Sequence, residues 1–168
     1  MIYKFNIRSK EYFIRLIDPV LDTEPYFAYI TDENVARFIN AVAYVAIDEA
    51  RKDLYYFSLF DGVRHLCLGI TNEFGELIGT VGYNYVDNSG VYEVVGDLGF
   101  RYWGRGIMKY VGLFLMDYCR SLGIVKLYAK VLIENKRAMN LLSKFGCNII
   151  EMQEQNGKDC YLYSLDIK

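Results

Sequence analysis

The sequence predicts an α/β fold of the α+β kind, in which a mixed sheet carries helices on its faces. Three observations lead there. Hydrophobic periodicity alternates along the chain between the two-residue repeat of strands and the three-to-four-residue repeat of helices. Three consecutive strands run into a strand–helix–strand unit, so the sheet cannot be uniformly parallel. Glycine or Asn/Asp turns stand at most of the switches. The 168 residues suit a single domain over 1–168, because a chain of that size buries about 70% of its extended surface.

In order, residues 12–17 (YFIRLI) read as a first strand, rich in aromatic and β-branched side chains. Residues 23–30 and 33–38 read as short helices, with Thr31 and Asp32 as a capping signal between them. A stronger helix follows Ala46: Ile47, Ala50, Leu54 and Phe57 fall at helical spacing, while Asp48, Glu49, Arg51 and Lys52 take the other side. Residues 65–72 and 76–85 form a predicted hairpin around Glu73, Phe74 and Gly75. After a turn at 87–90 comes a strand over 91–100. Gly104 and Gly106 then open a helix whose apolar positions are Ile107, Val111, Phe114, Tyr118 and Leu122, with Gly123 at its end. A strand over 126–133 and a short helix after Asn135 follow. Strands over 147–153 and 159–167 close the chain around Asn156-Gly157.

Composition narrows the function. Nineteen Lys and Arg against 21 Asp and Glu leave a net charge of −2, unlike a dedicated nucleic-acid binder, which is basic overall. Two prolines and 26 Tyr and Phe residues exclude disorder. No apolar run approaches the ~20 residues of a membrane helix, and the first residues lack an apolar signal core, so no membrane role and a cytoplasmic location are expected. Cys67, Cys119, Cys147 and Cys160 are too scattered for a metal motif and read as reduced thiols. The single histidine, His65, reads as structural, and no metal is expected.

The most informative segment is 97–108, DLGFRYWGRGIM. A strand ends, two glycines let a ligand approach the backbone, and a helix begins at once. Amides at a helix start lack intrahelical partners and carry the positive end of the helix dipole, which suits a pyrophosphate. Arg101, Arg105 and Lys109 surround the same turn. The third glycine of a Rossmann fingerprint and the Gly-Lys-Ser/Thr of a Walker loop are both absent. On these residues alone, a phosphate cradle and a tight strand–helix turn are equally good readings.

In context the segment resembles the GNAT superfamily of acetyl-CoA-dependent N-acetyltransferases, and most of all the branch with ribosomal-protein N-terminal and spermidine acetyltransferases. The family's Q/R-x-x-G-x-G/A motif is met by Arg101-Tyr102-Trp103-Gly104-Arg105-Gly106. The branch's W-G-x-G-x-A form is met by Trp103-Gly104-Arg105-Gly106-Ile107-Met108, with Met108 in place of a small residue. Glu93, eleven residues before Gly104, stands where the branch carries an acid. Asn135 to Ala138, then Lys144-Phe145-Gly146-Cys147, resemble the N-x-x-S/A…K-x-G-F signature, with Cys147 replacing its Phe. The resemblance covers roughly 10–167 and implies a mostly antiparallel sheet splayed at an acyl-CoA site.

It also implies roles. Backbone groups of Leu98 and Phe100 would pair with the pantetheine arm as an added strand does. One amide there would polarise the thioester carbonyl, a contribution of about 3–4 kcal/mol to the transition state. Trp103, Gly104, Arg105, Gly106, Ile107 and Met108 would surround the pyrophosphate, and Asn135 would bond the pantetheine arm or an ordered water. Glu93 is the candidate general base for an amine that arrives protonated; its other reading is a strand carboxylate facing solvent or paired with an arginine. The family's usual acid positions hold Leu142 and Ala138, so either no acid is used or a tyrosine substitutes; Tyr128 and Tyr161 are candidates but read better as core or rim aromatics.

Charge is unevenly spread. Residues 18–53 hold eight acids against three bases, and 101–144 hold nine bases against two acids. The basic stretch suits the anionic nucleotide of acetyl-CoA, and the acidic one suits a cationic amine: a protein N-terminus, a polyamine, an aminosugar or another small amine. For any single one of these carboxylates, an ordinary solvated helix face is the better reading. A monomer or homodimer is expected. Two other readings stand beside the transferase: a non-catalytic acyl-CoA-binding domain, and an unrelated nucleotide-binding α/β protein.

Overall fold

A computed structural model describes residues 2–39, 44–59, 61, 63–86 and 90–167. The elements are β1 (Tyr3–Ile7), β2 (Lys10–Leu16), α1 (Pro19–Ile30), α2 (Glu33–Ala36), α3 (Ile47–Ser58), β3 (His65–Thr71), β4 (Leu77–Val86), β5 (Val91–Leu98), α4 (Ile107–Ser121), β6 (Lys126–Leu132), α5 (Lys136–Lys144), β7 (Asn148–Gln155) and β8 (Lys158–Asp166).

The chain starts with a strand the sequence reading missed. Tyr3, Phe5 and Ile7 alternate with Lys4 and Asn6, and Arg8 and Ser9, both at positive φ, turn β1 back onto β2. Helix α1 begins four residues earlier than expected. Asp18 accepts from the amides of Val20 and Leu21, and Pro19 takes the first turn, where a missing N–H costs nothing. Helix α2 ends at Ala36, two residues short of the expectation. The turn expected at 87–89 lies outside the described residues.

The sheet has eight strands in the order β1-β2-β3-β4-β5-β6-β8-β7. Every neighbouring pair is antiparallel except β5 and β6. These two are parallel and meet only at Tyr92–Leu127 and Glu93–Tyr128. Beyond Glu93 they diverge, while β5 keeps its pairing with β4 as far as Leu98. A seam therefore opens inside the sheet, bordered by β5 and β6.

Helices cover both faces. On one, Ile107, Val111, Leu115 and Cys119 of α4 pack on Tyr12, Ile14, Leu66, Leu68 and Tyr83. On the other, Tyr26 and Ile30 of α1 and Ala50 and Leu54 of α3 pack on Ile17, Cys67 and Leu77. Strand β3 is buried on both sides, which accounts for its unbroken apolar run. Gly82 allows β4 to pass close to β3, since a Cβ there would lie 1.8 Å from the Leu66 carbonyl oxygen. Cys67, Cys119 and Cys160 are buried, Cys147 is half-buried, and all four are free thiols.

Candidate active site

Strand β5 is shorter than the expected 91–100 because Gly99 donates to the Ile78 carbonyl and the chain then winds into a 3₁₀ turn at Phe100–Tyr102. Trp103 donates its Nε1 to the Leu98 carbonyl at 2.6 Å, which fixes that turn against the strand end. The Gly99 bond also sets the phase of β5. Antiparallel alternation then turns the backbone N–H and C=O of Gly96 and Leu98 away from β4 and into the seam. Leu98 thus presents its amide there while its carbonyl is taken by the indole.

The glycine turn follows. Gly104 and Gly106 have φ of 72° and 83°, left-handed values that only glycine adopts without strain. A Cβ on either would meet nothing in the protein, so that space is open to a ligand. The first backbone bond of α4 runs from the Lys109 amide to the Gly106 carbonyl. The amides of Gly106, Ile107 and Met108 have no backbone acceptor among the described residues, as expected at a helix start. Arg101, Arg105 and Lys109 are exposed around this turn and pair with no carboxylate among the described residues; Arg105 lies over the Tyr102 ring. Trp103, half-buried, is bracketed by Phe38, Phe100 and the Arg137 guanidinium, 4.8 Å from its ring centre.

Between β5 and β6 lies a cavity of about 420 Å³. Its apolar wall comes from α4 and α5, with Met108, Val111, Leu115, Leu141, Leu142 and Phe145. Gly112 brings these helices together, since a Cβ on it would lie 2.5 Å from the Phe145 ring. Leu142 and Ala138 both line the cavity, so the positions where the family's acid was expected present only hydrocarbon. Tyr128 lines it too; Tyr161 does not. Asn135 reaches the cavity but uses Oδ1 to cap α5, accepting from the Ala138 amide at 3.1 Å. No hydrogen bond from its side-chain NH₂ is made among the described residues.

The other wall is polar. Tyr92, Val94 and Leu98 belong to the α4 side of the sheet, which places Glu93, Val95 and Asp97 on the α1 side. Glu93 lies where the strands part, with Lys130 Nζ 3.0 Å from its Oε2. Its partner is therefore a lysine rather than the arginine considered from sequence. Further along, Asp97 accepts from the Tyr29 hydroxyl at 2.7 Å, the Thr80 amide at 3.0 Å and the Thr80 hydroxyl at 2.9 Å. Burial holds the Asp97 carboxyl above its ordinary range, against the opposing pull of those donors. Tyr29 is raised for the same reason, with the nearby Asp97 charge as a second cause.

Most acids of residues 18–53 are committed elsewhere. Asp18 and Asp32 cap α1 and α2, Glu49 accepts from the Val45 and Ala46 amides, and Asp22 holds Arg15 through both oxygens. Asp53 accepts from the Tyr44 hydroxyl at 2.5 Å. The acidic charge lining the cavity comes instead from β5, with Glu93 and Asp97. Asp97 was not singled out from sequence; an acid one residue before a splayed strand end was the available signal.

An open seam, a glycine turn whose amides have no backbone acceptor among the described residues, and a cavity between them lie together at one end of the sheet. A family model for the acetyltransferase (GNAT) domain matches residues 13–148. The chain belongs to the GNAT acetyltransferase family. It is an acyltransferase of the class that uses acetyl-CoA, which sets aside the reading as an unrelated nucleotide-binding protein. Among curated relatives, an uncharacterized N-acetyltransferase, p20, from Bacillus licheniformis is 27% identical over 154 residues, 86% of each chain. Solved structures share the fold. The ribosomal-protein-S5-alanine acetyltransferase from Vibrio fischeri superposes with a TM-score of 0.80 at 15% identity, over 98% of this chain and 97% of that one. The spermidine N-acetyltransferase from Vibrio cholerae, solved with CoA and spermine, gives 0.77 at 18% identity, over 93% and 95%. Among the described residues, no helix of this GNAT domain is long and apolar enough to cross a membrane.

Proposed function

We propose that the chain transfers acetyl from acetyl-CoA directly to a primary amine, in the seam between β5 and β6. The observation that supports this most is the continuity of three features. The unpaired amides of Gly106, Ile107 and Met108 suit the pyrophosphate. The seam-facing amides of Gly96 and Leu98 suit the pantetheine arm and the thioester carbonyl. Carboxylates of β5 stand on the opposite wall, where a cationic acceptor would enter. Arg101, Arg105 and Lys109 supply positive charge for the nucleotide.

The acetyl thioester supplies the acyl group, and the residues supply position and charge. Hydrogen bonds from the Gly96 or Leu98 amide would strengthen as the carbonyl oxygen gains charge. The hydrocarbon of Leu141, Leu142 and Phe145 excludes water from that path. Asn135 would hold the pantetheine arm through its side-chain NH₂. With no usual acid among the α5 residues that line the cavity, the thiolate departs unassisted or takes its proton from Tyr128. Glu93, the base expected from sequence, sits at the closed end of the seam with Lys130 sharing its charge.

Thiol release from acetyl-CoA, followed against an N-terminal peptide, a polyamine and an aminosugar, tests this reading. Release that depends on one of these amines supports it. Affinity for acetyl-CoA without release over the panel contradicts it.

A further inference from the structure

Two carboxylates on β5 face the cavity, and their surroundings differ. Glu93 has a cation at 3.0 Å, so an incoming ammonium would compete with Lys130 and meet its repulsion. Asp97 has none: the donors reaching it are a phenol, an amide and a hydroxyl, all neutral, and no cation pairs with it among the described residues. Of its four lone-pair sites three are filled, two on Oδ1 and one on Oδ2. One site on Oδ2 is left. Asp97 also lies between Gly96 and Leu98, the residues whose amides face the seam, beyond the point where β6 has moved away.

From this geometry we propose that Asp97 is the catalytic residue that takes the proton from the acceptor amine, and that Glu93 with Lys130 forms a fixed neutral pair at the seam's closed end. The proposal rests on the amine-acetylation reading above. In the step, an acceptor R–NH₃⁺ gives one proton to Asp97 Oδ2, leaving R–NH₂ and a carboxylic acid. The nitrogen lone pair forms the new C–N bond to the acetyl carbon. The C–S bond breaks with its electron pair on sulfur, and the second nitrogen proton goes to that thiolate. The products are the acetamide, the free thiol and protonated Asp97, which then returns its proton to water. A carboxylate whose burial lifts its proton affinity suits this work better than one held by a lysine.

The groups facing Asp97 agree. Tyr29 and Tyr26 come from α1, Thr80 from β4 and Cys67 from β3, and Tyr44 with its Asp53 lies beyond Tyr26. Burial keeps both tyrosines protonated and pushes the Cys67 thiol up to about 12, so none of the three competes for the proton near neutrality.

The test is the pH dependence of kcat/KM for thiol release, with the best amine of the panel, in wild type, D97N, E93Q and Y29F. The Asn Oδ1 can still accept from the Tyr29 hydroxyl and the Thr80 amide while its NH₂ donates to the Thr80 hydroxyl, so D97N preserves the fold and acetyl-CoA affinity, checked by circular dichroism and calorimetry. It should lose about 10²–10⁴-fold in kcat near neutrality. Its remaining rate should climb steadily with pH, without the acid limb of wild type. E93Q keeps that limb. Y29F removes one donor from the carboxylate, so its limb moves to higher pH; this variant carries the test should D97N not fold. An acid limb retained in D97N and lost in E93Q overturns the assignment, as does a limb unmoved in Y29F. Wild type that releases no thiol with any amine defeats the amine-acetylation reading itself, and the role of Asp97 with it.

Discussion

The Trp103 indole donates to the Leu98 carbonyl at 2.6 Å, so the motif tryptophan fastens the glycine turn to the strand end it serves. Leu98 thereby offers the seam an amide but no free carbonyl, and an added strand can pair there with the N–H alone. Trp103→Phe keeps the ring contacts with Phe38 and Phe100 but strands that carbonyl, at a cost of about 1–2 kcal/mol. Denaturant unfolding followed by circular dichroism should show the loss, and calorimetry should show weaker acetyl-CoA binding.

Gly106 and Gly123 provide a matched pair. Both have positive φ, 83° and 74°, and a Cβ at either meets nothing in the protein. Valine at either site carries a backbone strain of about 1–2 kcal/mol. Gly106→Val should lose acetyl-CoA binding as well, because its side chain would stand where the α4 amides meet the pyrophosphate. Gly123→Val, at the far end of α4, should lose stability and keep affinity. Equal affinity in the two variants would remove the turn from the cofactor site.

Asp22 accepts from both Arg15 nitrogens and from the Asp18 amide, and is 1% exposed. Asp22→Ala would leave that guanidinium and amide without their acceptor. The cost should be about 2–3 kcal/mol, moderated because Arg15 still reaches water. At about 2–4 °C per kcal/mol, melting temperature is a sufficient readout.

Asp97 predicts a pH dependence of stability whose sign is opposite to that of a salt-bridged acid. Its carboxyl in the folded protein sits above the ordinary value of 3.8, so the folded state holds the proton longer than the unfolded chain. The stability tied to that proton is fully present below 3.8 and is lost as pH rises through the folded value. The melting temperature of wild type relative to D97N should therefore fall over that window. A difference that is flat or rises with pH contradicts the burial of this charge.

Local chemistry made much of this legible. Gly104, Gly106, Gly123 and Gly146 all take the positive φ that their positions at helix ends require, and the apolar spacing of α3, α4 and α5 is regular. Asn156 and Gly157 form the expected tight hairpin turn, both with positive φ. Strand β1 escaped because five alternating residues are a weak signal, and the start of α1 because an Asp-Pro step reads as a turn as readily as a capped helix start. The site was legible only in part. The glycine turn is continuous in sequence, whereas Tyr29 and Asp97 stand 68 residues apart and meet only once α1 lies on the sheet. Lys130 reaches Glu93 across the parallel strand pair, and no local pattern announces it. The acids of residues 18–53 suited a cationic amine in the sequence; unpaired helix amides, Arg15, Arg51 and Tyr44 claim most of them.

The work proposed for the seam between β5 and β6 is to join an acetyl group to an amine nitrogen. Acetyl-CoA labelled in the acetyl carbon, incubated with the protein and each amine of the panel, tests it most directly when the products are separated by mass spectrometry. Label should be recovered as an acetamide on an amine, formed at a rate that depends on Asp97. Label that stays on CoA, or appears only as free acetate, with every amine tried would contradict it.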